Sequence, residues 1–214
     1  MRYLSERARL TARGRRNLAF TEKIGSLIQD QFMPFSIAVA DIDNFRVFNA
    51  TYGDKIGDKL IAKVVSILRQ NTSPNNLISR IGDEFSVLLV DKGAETSFTY
   101  MEEIRKYLSS NSFTLGEGEK FDVHVTVSCG IASYPRDAKN TIELLRMADS
   151  SMFRAKKLGK NRVCLSEPDS LVLKSCHLTK TQAERLAELS KETEKTEAFL
   201  FREAIDDLLK KNSR

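Results

Sequence analysis

An apolar run of strand length, FSIAVADI (Phe35–Ile42), closes on the triplet Asp41-Ile42-Asp43, and helix-periodic segments stand on either side of it. Before it, Leu18–Ile28 repeats apolar residues at helical spacing (Leu18, Phe20, Ile24, Leu27, Ile28). After it, Gly57–Leu68 sets Leu60, Ile61, Val64, Val65 and Leu68 on one side of a helix. Leu77–Ile81 and Phe85–Val90 are short apolar runs around a tight turn, and Tyr100–Leu108 is again helical. Val123–Ala132 is a strand pattern, Ile142–Lys157 a helix, and Val163–Leu165 a last strand. Few strands separated by helices define one sheet with helices packed on it.

The crossovers predict an α/β fold of ferredoxin-like type rather than a sandwich. With 214 residues, 41% of them apolar, the chain can bury a core, so disorder throughout is excluded. The loop-like SEPDS (Ser166–Ser170) predicts a domain boundary, with residues 17–166 as the main domain and 167–214 as a smaller unit. No apolar stretch approaches the roughly 20 residues of a membrane span, and MRYLSERARL has no h-region of a secretory signal. Cys129, Cys164 and Cys176 lie far apart without a CxxC pair, which argues against a disulfide framework or a cysteine zinc site. A cytoplasmic protein without a membrane partner is the expectation. Residues 1–16 form a basic arm with six arginines against Glu6, and this arm accounts for the whole net charge of +5. Such an arm can follow phosphates on nucleic acid or simply lead into a solvated helix.

Two acidic groups carry the chemistry. On a strand Asp41 and Asp43 share a face, and acids at a strand end can hold a hard cation, Mg²⁺ with a triphosphate above all. Asp83 and Glu84 occupy the turn between the two short apolar runs. If those runs pair beside the Asp41 strand, the acids converge into a phosphoryl- or nucleotidyl-transfer site; otherwise they are solvated turn formers. Lys156 and Lys160 end the last long helix of this region, where lysine also pairs ordinarily with the helix dipole. His124 and His177 are 53 positions apart and are expected on the surface or in strand packing.

Together these stretches resemble the GGDEF domain family of diguanylate cyclases. The resemblance rests on DIDNFRVFNATYGDKIGDKLI (Asp41–Ile61), SRIGDEFSVLL (Ser79–Leu89), VSCGIA (Val127–Ala132) and ADSSMFRAKKLGKNRV (Ala148–Val163). LTARGRRNLAF (Leu10–Phe20) resembles the family's opening segment, and the whole likeness covers about residues 8–165. It implies a palm-type sheet with flanking helices. It also implies that Asp41, the Ile42 carbonyl and Asp83 bind two Mg²⁺ (or Mn²⁺) ions, and that Asn49 and Asp58 read the guanine edge of GTP. Phe45 and Gly82 would line the substrate site, Lys156 and Lys160 would hold the phosphates, and Glu84 would shape the charge near the metals, with Asp83, Glu84 and Lys156 as the catalytic set. Two domains facing each other would join two GTP into cyclic di-GMP.

Two departures bear on this. The family motif reads Arg-x-Gly-Gly-acid-Glu-Phe, whereas here the stretch is Ser79-Arg80-Ile81-Gly82-Asp83-Glu84-Phe85. Without a gap Ile81 replaces the first glycine and Ser79 the arginine. With a gap Arg80 and Ile81 fit but one glycine is missing, the alignment preferred because residues 76–81 then match the family strand. Shortening a hairpin by one residue shifts register, so the position of Asp83 relative to Asp41 decides whether the site survives. The family's product-inhibition pattern, Arg-x-x-Asp, is replaced in Asn71–Asn76 by uncharged residues, so feedback at that site is not expected.

The last forty-odd residues follow their own pattern. LVLKSCHL reads as a short strand, Thr179 with Gln182 forms a capping-box start, and Thr196 caps a second helix burying Phe199, Leu200, Ala204, Ile205, Leu208 and Leu209. A unit this small cannot bury enough surface alone; dimerisation would solve this, and the plainer readings are a dimerisation tail or a helical hairpin packed on the main domain. The pattern resembles the ribbon-helix-helix family, which implies a β-α-α homodimer, with Leu173, Ser175 and His177 reading DNA and Thr196 meeting a phosphate. Residues 168–214 carry nine bases and nine acids, a poor balance for a polyanion partner. The expectation leans to a cyclic di-GMP signalling protein whose GGDEF domain binds GTP or cyclic di-GMP and whose tail binds DNA, a nucleotide-responsive transcription regulator. The alternative is an active diguanylate cyclase dimerised by its tail.

Overall fold

The computed structural model describes residues 18–30, 33–115, 121–167 and 175–212; the basic arm and Leu173 lie outside them. The elements run α1 (Leu18–Asp30), β1 (Phe35–Ile42), α2 (Phe45–Tyr52), α3 (Asp54–Asn71), β2 (Leu77–Ile81), β3 (Glu84–Val90) and α4 (Ala94–Ser110). There follow β4 (Ser112–Leu115), β5 (Phe121–His124), β6 (Val127–Tyr134), α5 (Thr141–Lys157), β7 (Arg162–Leu165), α6 (Lys180–Thr193) and α7 (Glu197–Asn212).

Five strands form one sheet in the order β2-β3-β1-β6-β7, and β4 and β5 form a separate pair. β1 is antiparallel to both β3 and β6, and β7 runs parallel to β6, so the sheet is mixed. The largely apolar character of β1, with Ser36 as its one buried polar residue before Asp41, follows from its place in the middle. Ala38, Ala40 and Ile42 face Leu60, Val64, Met101 and Ile104 of α3 and α4. Phe35, Ile37 and Val39 face Ile24 of α1 and Leu144, Ala148 and Met152 of α5. A strand covered on both sides has no use for alternation.

Gly130 on β6 is where α5 comes closest: a Cβ there would lie 2.0 Å from the Met152 nitrogen and 2.2 Å from the Ala148 oxygen. The helix start is fixed by Asn140, whose side chain accepts from the Glu143 N–H.

The expected strand Val123–Ala132 is two strands. The chain leaves β5 after His124 and enters β6 at Val127, passing from the small sheet to the large one, and the Thr126 carbonyl accepts the Asp43 N–H at 2.9 Å. β4 and the short α2 are present without having been read from periodicity.

In the tail both helix starts are as expected. Thr179 and Gln182 close a reciprocal capping box, and the Thr196 hydroxyl accepts the Phe199 N–H at 3.2 Å. Ser175–Leu178, expected as the end of a strand, carry no strand structure in the single chain. The second tail helix buries less than its pattern predicts. Phe199 and Leu200 are covered, whereas Ile205, Leu208 and Leu209 are 52%, 60% and 60% exposed. The cause is docking: α7 lays its first half on α4, with Phe199 edge-on to Phe98 at 5.5 Å and Arg202 Nε 2.6 Å from Glu95 Oε1. Among the described residues no helix is long and apolar enough to cross a membrane.

Candidate functional site

The carboxyl end of β1 delivers Asp41 to the rim of the sheet. Glu84 stands opposite it on β3 and Ser128 opposite it on β6. β2 and β3 are joined by Gly82-Asp83 alone, since Ile81 pairs with Glu84. A two-residue hairpin with positive φ at its first position only has the pattern of a II′ turn. Gly82 supplies that φ, at +64°, in open space, so the demand on it is conformational rather than steric.

The short turn holds Asp83 against the end of β1. The Ile42 N–H donates to the Asp83 carbonyl at 3.4 Å, and the charge of the Asp83 carboxylate is felt at Asp41. Lys156 reaches in from the last turn of α5, its Nζ 2.6 Å from Asp41 Oδ1. Burial pushes the Asp41 carboxyl above its ordinary value. The hydrogen bond and charge of Lys156 partly offset this, and the charges of Asp83 and Asp43 add to it. Three acids, Asp41, Asp43 and Asp83, thus act here against the Lys156 ammonium, a balance of charge that a cation would even out.

The donor set fits a hard divalent ion: two carboxylates and a strand-end carbonyl are all oxygen ligands. Among the described residues no three side chains of His, Cys, Asp and Glu converge on one point. A metal here would complete its shell from the backbone, water or a phosphate.

Asp43 departs from the strand-face reading. β1 stops at Ile42, and both oxygens of Asp43 are engaged. Oδ1 accepts the Ser128 hydroxyl at 2.6 Å, and Oδ2 accepts the Thr126 hydroxyl at 2.8 Å and the Asn161 N–H at 3.0 Å. With three donors on it, this carboxylate is committed to the protein.

Lys160 and Asn161 follow α5 in left-handed conformations, φ 65° and 45°. That fold-back aims the Lys160 ammonium at Asn44 Oδ1, just past Asp43, while Asn161 Oδ1 accepts from Arg105 of α4 at 2.6 Å. Lys156 and Lys160 thus reach the carboxylate end from one helix terminus.

A second group lies at the α2–α3 corner. Asn49 Oδ1 is buried without a hydrogen-bond partner. It sits over Gly57, where a Cβ would lie 2.0 Å away, and Phe45 packs on the same glycine. A buried amide oxygen without a partner is costly unless a ligand uses the group. Asp58, one residue on, is exposed and lines an open groove of about 700 Å³ with Ser66, Arg69 and Arg80.

The structure brings together Asp41, Ile42, Asp83, Glu84, Lys156 and Lys160 at one end of the sheet, beside the corner carrying Phe45 and Asn49. Ser175, His177 and Thr196 belong to the tail segment, whose second helix docks near Gly93 and Glu95, after the far end of β3. Thr126, Ser128, Asn161 and Arg105 were not foreseen. The serine inside the apolar stretch VSCGIA, fully buried, was the one signal available for them.

The architecture is that of an α/β domain whose mixed sheet carries a carboxylate pair and a lysine-bearing helix end at one rim, beside a helix corner with a buried amide oxygen that lacks a partner. The family profile described as "Diguanylate cyclase, GGDEF domain" matches residues 9–162, and the chain belongs to the GGDEF family. It is 31% identical over 167 residues to the "Probable diguanylate cyclase DgcT" of Escherichia coli, covering 77% of this chain and 36% of that protein. It is 34% identical over 133 residues to "Diguanylate cyclase A" of Treponema denticola, covering 62% and 35% respectively. The chain thus spans about a third of the length of these curated relatives. Among solved structures it is similar to the GGDEF domain of DgcB from Caulobacter crescentus in complex with c-di-GMP, with TM-score 0.62 and 28% identity over 69% of this chain and 86% of that one. The GGDEF domain of YfiN (TpbB) from Pseudomonas aeruginosa gives TM-score 0.65 and 25% identity over 72% of this chain and 96% of that one.

Proposed function

We propose that the chain is a working diguanylate cyclase, joining two GTP into cyclic di-GMP and two pyrophosphates. The observation that carries the reading is the position of Asp83: despite a hairpin of only two loop residues, its carbonyl accepts from Ile42 and its charge acts on Asp41. A turn one glycine short of the family motif therefore keeps its acid at the strand end.

In this reading Asp41, Asp83 and the Ile42 carbonyl hold Mg²⁺ or Mn²⁺. Such ions, when bound, polarise phosphoryl oxygens and lower the pKa of the attacking hydroxyl. Asn49 and Asp58 bind the guanine edge, and the unpartnered Asn49 oxygen supports that role. Phe45 braces Asn49 through Gly57, and Gly82 lets the turn backbone approach the nucleotide. Lys156 and Lys160 would hold phosphate oxygens, Lys156 from the position in which it now pairs with Asp41. Glu84, opposite Asp41, adds to the negative field. Each domain positions one GTP. The 3′-oxygen of one forms a bond to the α-phosphorus of the other as the bond to pyrophosphate breaks, the hydroxyl proton passes to solvent water, and the step repeats in the opposite sense.

A homodimer through the tail would raise the concentration of one half-site near the other. The exposed Ile205, Leu208 and Leu209 support a tail that pairs. Incubation with GTP and Mg²⁺ or Mn²⁺ followed by chromatography tests the assignment: cyclic di-GMP and pyrophosphate are expected, and unchanged GTP refutes it.

The second reading makes residues 167–214 a ribbon-helix-helix unit that binds DNA in response to nucleotide, through Leu173, Ser175, His177 and Thr196. The capping box at Thr179 and the Thr196 cap favour it; the balanced charge of the tail weighs against it. Selection from genomic fragments, with and without GTP or cyclic di-GMP, separates the two readings. No retarded fragment under any condition removes the regulator.

A further inference from the structure

We infer that Asp43 is a positioning residue for nucleotide phosphates, acting through the turn that carries Lys160. This rests on the cyclase reading and extends it. Asp43 is 8% exposed and touches three separate segments. Its own backbone continues β1 past Asp41, the metal-side acid. Its Oδ1 holds Ser128 of β6, and its Oδ2 holds Thr126 of the β5–β6 crossing and the Asn161 N–H of the turn after α5.

The Asn161 contact matters most. Gly159, Lys160 and Asn161 all have positive φ, at 113°, 65° and 45°, a run that non-glycine residues adopt only when their surroundings fix it. What fixes it is visible on both sides of Asn161. Its N–H is held by Asp43, and its side-chain oxygen by Arg105, itself tied to Glu102 at 2.7 Å and 2.8 Å. Between these anchors the Lys160 side chain is carried to Asn44 at the lip of the site. The fixed distance between Asp41 and Lys160 therefore runs through one buried carboxylate.

The substitution Asp43→Asn can keep the essential contact. The Ser128 hydroxyl can turn from donor to acceptor, which lets the new amide nitrogen face it while the amide oxygen keeps the Asn161 N–H. Alanine keeps neither. The separation between these two variants is specific to positioning.

The test measures calorimetric affinity for a non-hydrolysable GTP analogue with Mg²⁺, and KM and kcat for GTP, in the full chain. For Asp43→Ala the expectation is a loss of affinity and a rise in KM of about tenfold, the worth of one hydrogen bond to a charged group, with kcat within about threefold. Asp43→Asn recovers most of it, and Asp43→Ala combined with Lys160→Ala binds no more weakly than Lys160→Ala alone. Unchanged affinity in Asp43→Ala, or losses that multiply in the double variant, overturns the inference. So does a fall in kcat alone, which is what a smaller folded fraction produces. Should Asp43→Ala not fold, Thr126→Val removes one donor from the same oxygen: a two- to threefold loss, roughly, is expected, and full affinity overturns the inference. Wild-type protein that binds no nucleotide sinks the cyclase reading instead.

Discussion

Replacing Gly130 by alanine should separate α5 from the sheet. The added methyl would sit 2.0 Å from the Met152 nitrogen, 2.2 Å from the Ala148 oxygen and 2.6 Å from the Ser151 carbonyl carbon, all backbone atoms. Ordinary contact begins near 3.4 Å. The helix must therefore withdraw by about 1 Å or more, because no rotamer change can relieve a clash with main chain. Overpacking of this kind costs typically 1–3 kcal/mol, and the backbone contact puts Gly130→Ala at the upper end, about 3 kcal/mol. For a domain of this size that lowers Tm by roughly 6–12 °C. Urea unfolding followed by circular dichroism reads it as a lower midpoint with unchanged slope. Because α5 carries Lys156 to Asp41, nucleotide affinity should fall with stability. Gly25→Ala is the control: a Cβ there meets nothing within 4 Å, and in the middle of α1 it should gain about 0.5–1 kcal/mol. A Gly130→Ala protein that unfolds within about 0.5 kcal/mol of the parent would refute the close-packing argument, that margin being ordinary for a harmless surface change.

Other outcomes follow from the same geometry. Asp41→Asn and Asp83→Asn should each lower cyclic di-GMP formation by about 100-fold or more, read by chromatography, since each removes a charge placed to hold the catalytic ion. Docking of α7 should tighten between pH 7.5 and pH 5. Burial pushes the Asp206 carboxyl up to about 6, helped by the adjacent Glu95 charge and opposed by Arg136, with Glu95 hydrogen-bonding and Asp207 also raising it. Burial likewise pushes Asp137 up to about 6, where the Ser133 N–H and Arg136 oppose the shift and Glu95 adds to it. A carboxyl raised on folding binds its proton more tightly in the native state. The penalty is therefore present above pH 6 and relieved as pH falls toward 4. Limited proteolysis of the tail at the two pH values reads this, and Asp206→Asn should flatten the difference. Leu208→Glu with Leu209→Glu should convert a dimer to a monomer in sedimentation while leaving the helices intact, as both side chains face solvent in the single chain.

The sheet was legible because its middle strand is apolar at all but one of the six positions that are buried from Phe35 to Ala40, Ser36 being the exception, and the long helices because they are periodic. The break at Val125–Thr126 was not, since β-branched residues run through it and strand propensity does not register a change of partner. α2 was hidden for a related reason: none of its residues is buried, so periodicity had little to report. The carboxylates of the site were legible as residue types, and the register across β1 then decided their arrangement. The engagement of Asp43 was not legible: alternation only places it on the face of Asp41, whereas three donors from distant segments claim it, and donors that arrive from elsewhere in the chain leave no local pattern. In the tail the caps were readable and the burial was not. Whether Phe199 or Leu208 is covered depends on α4, nearly a hundred positions upstream.

Where α7 docks has a mechanical consequence. Its anchors on Gly93, Glu95 and Phe98 lie just after β3 ends, while Asp83 and Glu84 stand where that strand begins. Seven residues of extended chain, about 20 Å, separate the two poles. Two copies tethered at their tails would leave both acidic rims uncovered, because the tether and the chemistry sit at opposite ends of one strand.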